Sequence, residues 1–348
     1  MFLHALSTVV PERSLTQHEC WDILQRSDVR TRLNRRSTLT LQAILRGDSG
    51  IARRHFETPA VENVWQRTPD ELNEAFRDAA PKLARRALEN ALEQAKLVPG
   101  EIDALLICTC TGYLCPGVTS YVAEQLGLRD NAWLQDLVGL GCGAAIPLLR
   151  AANAVLAAKP DAVVACVAVE VCSAAFYLDD DPGVLVSACL FGDGAAATIW
   201  RSTPGPTSLR CHGFNTLHQP AYRDFIRFET RDGRLRNLLR PEVPALAAAA
   251  VKRLLDEERE RAGVRPIARL LAHTGGRDVL AAIEVACPGY PLDASRQVLH
   301  DFGNMSSPSV LFALERALRE GFPTDENGDW LLVAFGAGFS AHACRFGQ

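Results

Sequence analysis

The sequence has no long run of a single charge sign and no low-complexity tract apart from the alanine-rich Ala245–Ala250. Lysine and arginine number 37 against 41 aspartate and glutamate, a net charge of −4. That balance excludes a broad basic face for nucleic acid or an anionic membrane. The longest apolar run, Ala162–Val169, stops at Glu170, far short of the roughly 18 residues that a membrane helix needs. Early polar residues (His4, Ser7, Thr8) and Pro11-Glu12-Arg13 leave no basic start followed by an apolar stretch, so no export leader and no membrane insertion are expected, and the location expected is cytoplasmic. Aromatic residues are few, at 7%, but 48% hydrophobic residues over a length of 348 are enough for one large core or two ordinary ones.

Cysteine is not scarce: there are 11. An odd count, spread over a long chain without an export signal, reads as free thiols rather than a disulfide framework. Cys108, Cys166 and Cys189 lie in apolar runs, where a reduced cysteine behaves as a small hydrophobe. Cys108, Cys110 and Cys115 form a C-x-C-x₄-C cluster without a nearby fourth ligand, so no metal site is expected. The glycine-rich pieces match neither the phosphate-binding loop nor the dinucleotide fingerprint, which leaves nucleotide hydrolysis and hydride transfer without support.

Helix-period segments alternate with short apolar strands: Ala84–Lys96 (helix), Ala104–Cys108 (strand), Pro147–Ala158 (helix), Ala162–Val169 (strand). This predicts an α/β fold with substantially parallel strands. Three features recur in order, which points to a duplicated chain. A long helix and an apolar strand end in Thr-Gly at Gly112 and again at Gly275; Gly141-Cys142-Gly143 and Gly303-Asn304-Met305 each open a helix; Phe191-Gly-Asp-Gly and Phe335-Gly-Ala-Gly each precede a final apolar stretch. The first half carries an extra segment that includes Tyr177–Asp181, and Pro204-Gly205-Pro206 marks the boundary, giving halves 1–204 and 205–348.

Three residues stand out chemically. Cys142 stands between glycines at a helix start, where unpaired N–H groups and the helix dipole stabilise a thiolate; a tight turn around a small buried residue accounts for the same pattern. His273 ends a strand before Thr274-Gly275-Gly276, a place for a base or for a satisfied structural histidine. Asn304 holds in the second half the position that Cys142 holds in the first, so duplication brings both to one cleft. There its amide and a neutral histidine N–H can hydrogen-bond a developing oxyanion, unless Gly303-Asn304 is only an N-capping turn for a helix at Ser306. Arg30, Arg32, Arg35 and Arg36 form a basic stretch on a predicted helix, either a solvated face or a seat for substrate phosphates.

Gly-Leu-Gly-Cys142-Gly-Ala-Ala, Leu190-Phe191-Gly-Asp-Gly-Ala-Ala, Ala272-His273-Thr-Gly-Gly and Phe302-Gly-Asn304-Met-Ser-Ser-Pro-Ser together resemble the chalcone synthase-like type III polyketide synthases over nearly the whole chain. The resemblance implies the thiolase fold, two duplicated halves in α-β-α-β-α layers, and a homodimer. It implies a Cys142–His273–Asn304 triad that takes an acyl group from acyl-CoA and condenses it with malonyl-CoA, as a transferase needing no cofactor beyond these coenzyme A substrates. Products of the alkylpyrone, alkylresorcinol or chalcone-like kind follow, and small residues at Cys110, Ala175 and Ser187 suggest room for a long acyl starter, with malonyl-CoA alone as the other starter.

Phe191 matches the family's gatekeeper, while Cys110, Cys115, Cys172 and Ser187 fall on cavity positions, that of Cys115 reaching into the partner's cavity in plant members. Coenzyme A contacts are implied at Arg36, Gly275 and Gly276. Three features depart from the family: Ala334-Phe335-Gly336-Ala337-Gly338 stands for Gly-Phe-Gly-Pro-Gly, Thr274 for a proline, and the neighbourhood of Arg236 for a second cavity phenylalanine. The alternatives are a β-ketoacyl carrier-protein synthase III, whose histidine sits in His-Gln-Ala-Asn rather than His-Thr-Gly-Gly, and a non-catalytic acyl-CoA-binding protein of the same fold.

Overall fold

A computed structural model describes residues 1–57, 61–206, 208–261, 263–321 and 328–348. The strands are β1 (Phe2–Val9), β2 (Ser14–Thr16), β3 (Arg53–His55), β4 (Ala104–Cys108), β5 (Trp133–Leu137), β6 (Val164–Glu170), β7 (Gly194–Arg201), β8 (Arg210–His218), β9 (Ile226–Arg231), β10 (Arg234–Leu239), β11 (Ile267–Ala272), β12 (Asp329–Gly336) and β13 (Ser340–Gly347). The helices are α1 (Gln17–Arg26), α2 (Arg35–Arg46), α3 (Pro69–Ala95), α4 (Val118–Leu126), α5 (Ala145–Ala158), α6 (Pro182–Leu190), α7 (Val243–Glu260), α8 (Arg277–Ala286), α9 (Asp293–Phe302) and α10 (Ser309–Arg319).

Nine strands are hydrogen-bonded in the order β11-β12-β13-β8-β1-β7-β6-β4-β5. On one side of the β8/β1 seam, β1 runs antiparallel to β7, β7 antiparallel to β6, and β6 parallel to β4. On the other, β8, β13, β12 and β11 repeat that order and those senses. Only β5, parallel to β4, has no counterpart.

The period-2 alternation of the strands sorts the core into layers. In β4, Leu105 and Ile107 pack with α3, while Ala104, Leu106 and Cys108 face α5 and α10. In β12, Leu331, Val333 and Phe335 pack with α7 and α8, while Trp330, Leu332 and Ala334 face that same central pair. Helices α5 and α10 therefore form the middle layer between two sheet faces, and α3 and α7 the outer layers. This is the α-β-α-β-α thiolase architecture.

Several expected boundaries move. Helix α3 starts at Pro69, well before Ala84, because Thr68 and Glu71 form a reciprocal cap there and the helix continues through Pro81. The basic stretch is not one helix: a short 3-10 turn, Asp28–Arg32, ends at Leu33, and Asn34 caps α2 by accepting from Ser37 N at 2.9 Å. Asn304 does not open α10, which begins at Ser309; Ser306 has a positive φ of 59° that breaks any helix between them.

Candidate active site

Cys142 lies in a 3-10 turn, Gly141–Gly143, that runs into α5. The turn rests on the end of β12, where a Cβ on Gly336 would come within 2.7 Å of Gly143 N and 2.9 Å of Cys142 N. Glycine is required there by close backbone approach. His273 follows β11, its backbone N–H donating to Val333 O at 2.9 Å, and its ring meets Phe335 edge-on at 5.3 Å. Asn304 pairs in a bridge with Phe191. Its Oδ1 accepts from Ser306 N at 2.7 Å, which leaves the side-chain NH₂ free to donate elsewhere.

These three residues, contributed by three separate segments, line one cavity of about 490 Å³ together with Phe191, Gly275, Gly276 and Phe335. A smaller inner chamber of about 40 Å³ is lined by Cys110, Cys172, Ser187, Phe176, Tyr177 and Ser306, and Phe191 borders both spaces. Cys115 is exposed and lines neither space of its own chain. Arg36 is exposed on the first turn of α2 and also lies outside both linings.

The electrostatics are governed by burial. Desolvation pushes the Cys142 thiol up to about 12, partly opposed by a hydrogen bond from Ser306 Oγ at 3.3 Å. It also holds His273 down to about 3, and the ring's Nδ1 has no hydrogen-bond partner among the described residues. A thiolate stabilised by the helix start alone is therefore outweighed: burial disfavours a lone charge on either residue.

Residues missed in the sequence complete the surroundings. Ser306 bridges Cys142 and Cys110, whose Sγ lies 3.1 Å from the same hydroxyl. Glu170, fully buried, accepts from Cys110 N (3.0 Å), Thr111 N (3.1 Å) and Ser307 Oγ (2.5 Å), and burial raises its carboxyl above the usual range. A lone acid closing an otherwise apolar strand was its signal. Arg240 and Arg277 lie in the lining of the larger cavity. Among the described residues no cluster of His, Cys, Asp and Glu could hold a metal.

The family model described as FAE1/type III polyketide synthase-like protein matches residues 9–208, and that of the chalcone and stilbene synthase C-terminal domain matches residues 220–344. A 3,5-dihydroxyphenylacetyl-CoA synthase of Amycolatopsis balhimycina is 30% identical over 347 residues, covering 96% of this chain and 89% of that relative. A 1,3,6,8-tetrahydroxynaphthalene synthase of Streptomyces coelicolor is 28% identical, with the same coverage. The crystal structure of the Streptomyces coelicolor synthase, described as a bacterial type III polyketide synthase, superposes with a TM-score of 0.88 at 27% identity over 99% of both chains. With both halves of the sequence matched and the layered architecture shared, the chain belongs to the type III polyketide synthase family.

Proposed function

We propose that the chain condenses malonyl-CoA onto an acyl group held as a thioester on Cys142. The observation that carries this reading is the meeting of Cys142, His273 and Asn304 in one cavity of a type III polyketide synthase fold. His273 takes the thiol proton as Cys142 attacks the acyl-CoA carbonyl, and the coenzyme A thiolate leaves with a proton. The Asn304 amide and the imidazole N–H then hold the thioester oxygen of malonyl-CoA while CO₂ departs, and the resulting enolate carbon attacks the Cys142 acyl carbonyl, breaking the thioester so that the Cys142 thiolate leaves and a β-ketoacyl-CoA forms. Coenzyme A thioesters are the only small molecules this scheme draws on.

Phe191 serves as the gate between the outer cavity and the inner chamber, with Cys110, Cys172 and Ser187 lining the growing chain. The coenzyme A arm passes Gly275 and Gly276, and Arg240 and Arg277, rather than Arg36 alone, are placed to meet its phosphates. A chamber of about 40 Å³ with Phe176 and Tyr177 in its lining supports a short acyl or malonyl starter over the long acyl chain that the small residues suggest. The names of the relatives, which make small hydroxylated aromatics, agree with that choice.

The repeated strand order supports reading 1–204 and 205–348 as duplicated halves. The open β5 edge supports a homodimer. The location we infer is cytoplasmic; no described helix is long and apolar enough to cross a membrane. Mass spectrometry of the protein with malonyl-CoA and with short, aromatic and long acyl-CoAs tests the reaction. Acyl-Cys142 and multiply extended products from short starters are expected. A single condensation with carrier-protein substrate would turn the reading to the carrier-protein synthase, and no acylation of Cys142 would turn it to a binding protein.

A further inference from the structure

Phe191 and Asn304 sit on two turns that the backbone ties together: Asn304 N donates to Leu190 O and Gly192 N to Asn304 O, each at 3.0 Å. The end of α6, which carries Phe191, leaves last-turn carbonyls without helical partners. Two buried side chains from the N-terminal segment take them. Arg54 Nη1 donates to Ala188 O and Phe191 O, both at 2.8 Å, and Gln17 Nε2 donates to Cys189 O at 2.8 Å. Gln17 Oε1 accepts from Arg54 Nε at 3.0 Å, joining the pair into one unit.

Arg54 is only 1% exposed, and these hydrogen bonds run to two carbonyls and an amide oxygen rather than to a carboxylate. A buried guanidinium in such surroundings is costly unless something negative faces it. The C-terminal end of α6, with its aligned carbonyls, supplies that. The alkyl stem completes the contact. At Gly303, with φ +73°, a Cβ would lie 2.9 Å from Arg54 Cγ and 2.8 Å from Leu190 O, and at Gly192 one would lie 3.4 Å from Arg54 Cβ. The next residue on β3, His55, accepts from Asp193 N at 2.9 Å and its ring lies 5.7 Å from that of Phe302. One short strand therefore touches both turns, and neither Arg54 nor His55 is in the lining of either cavity.

We propose that Arg54, braced by Gln17, is a positioning residue for the condensation: it clamps the Phe191 turn against the Gly303–Asn304 turn and so fixes the Asn304 amide in the oxyanion site. The proposal rests on the roles given above to Cys142 and Asn304. Acylation of Cys142 does not use the Asn304 amide, whereas decarboxylation of malonyl-CoA does. Loss of the clamp therefore separates the two steps, which a merely structural arginine would not do.

The test uses the full chain and measures each step alone: butyryl transfer to Cys142 by intact mass, and conversion of malonyl-CoA to acetyl-CoA by chromatography. In Arg54→Met, decarboxylation is expected to fall about 100-fold, the scale of a misplaced catalytic group, while acylation stays within about threefold. Arg54→Lys, which keeps a donor to the carbonyls, is expected to restore about tenfold of the loss. Equal losses in both steps, or unchanged decarboxylation, would overturn the proposal. If Arg54→Met does not fold, Gln17→Leu decides. It keeps the guanidinium but removes its brace, and a drop of about tenfold confined to decarboxylation is expected, a parallel drop or none being the refuting result. Wild-type protein that acylates no Cys142 would refute the catalytic reading itself, a failure distinct from that of the clamp.

Discussion

Burial acts on Cys142 and His273 in opposite senses, holding the thiol up at about 12 and the imidazole down at about 3, so the resting pair is neutral. Because a raised thiol pKa means less thiolate at neutral pH, nucleophilicity at Cys142 depends on handing its proton to His273 at the moment of attack. Replacing His273 by alanine is expected to slow carbamidomethylation of Cys142 at pH 7 by about 100-fold, the usual worth of a positioned base. In that variant the rate should climb steadily with pH through the alkaline range. Peptide mapping after iodoacetamide reads it out, and an unchanged rate at pH 7 would mean that the helix start ionises the thiol unaided. Residue identity was legible in the sequence because Gly-Cys-Gly, His-Thr-Gly-Gly and Phe-Gly-Asn each combine a reactive side chain with a backbone turn. The balance of desolvation against dipole was not, since it depends on what surrounds the sulfur: Ser306 reaches it from a distant part of the chain, and the buried Glu170 charge raises the thiol further.

At the scale of elements, the position of Cys142 is set less by α5 than by the strand end beneath it. A Cβ on Gly336 would press within 3 Å of three backbone atoms, Gly143 N, Cys142 N and Leu140 O, none of which can rotate away. Gly336→Ala is therefore expected to push the Gly141–Gly143 turn toward the cavity. Condensation should fall by about 100-fold, because a shift of an ångström is enough to spoil attack geometry, and stability by about 1–3 kcal/mol, the typical cost of overpacking. Gly100→Ala, where nothing lies within 4 Å, is the control. Denaturant melts and product formation check both halves; full activity in Gly336→Ala would mean that the turn is held by α5 alone. The strand Ala104–Cys108 and the end of α5 at Ala158 stand where periodicity placed them. The start of α10 does not, because the likeness of Gly303-Asn304-Met305 to Gly141-Cys142-Gly143 stops short of the backbone. Instead, Asn304 bridges to Phe191 and Ser306 takes a positive φ, which no local pattern announces.

For the whole molecule, the sheet ends differently on its two sides. The run β8-β13-β12-β11 matches β1-β7-β6-β4 strand for strand, a correspondence that the three repeated motifs made visible in the sequence. Strand β5 was not visible there, because Trp133–Leu137 lacks the alternation of a half-buried strand; its first residues, Trp133 and Leu134, are exposed, and so is the following Val138. An edge strand with bare backbone donors and a large exposed indole is the kind of surface that soluble monomers avoid. The first turn of α4 is fastened to β5 by Thr119 through Asp136, and the loop that leads into it presents the exposed Tyr113 and Cys115. A second copy covering this edge would account for both features at once, and the Cys115 thiol would then be shielded by the partner. The expected outcome is a dimer by light scattering at micromolar protein, with Cys115 slow to react with iodoacetamide. Trp133→Asp, which places a charge at the start of the edge strand, should yield monomers in which Cys115 reacts at the rate of a free surface thiol. Monomeric wild-type protein, or a Cys115 equally reactive in both forms, would show that β5 stays open and that each chain works within its own cavity.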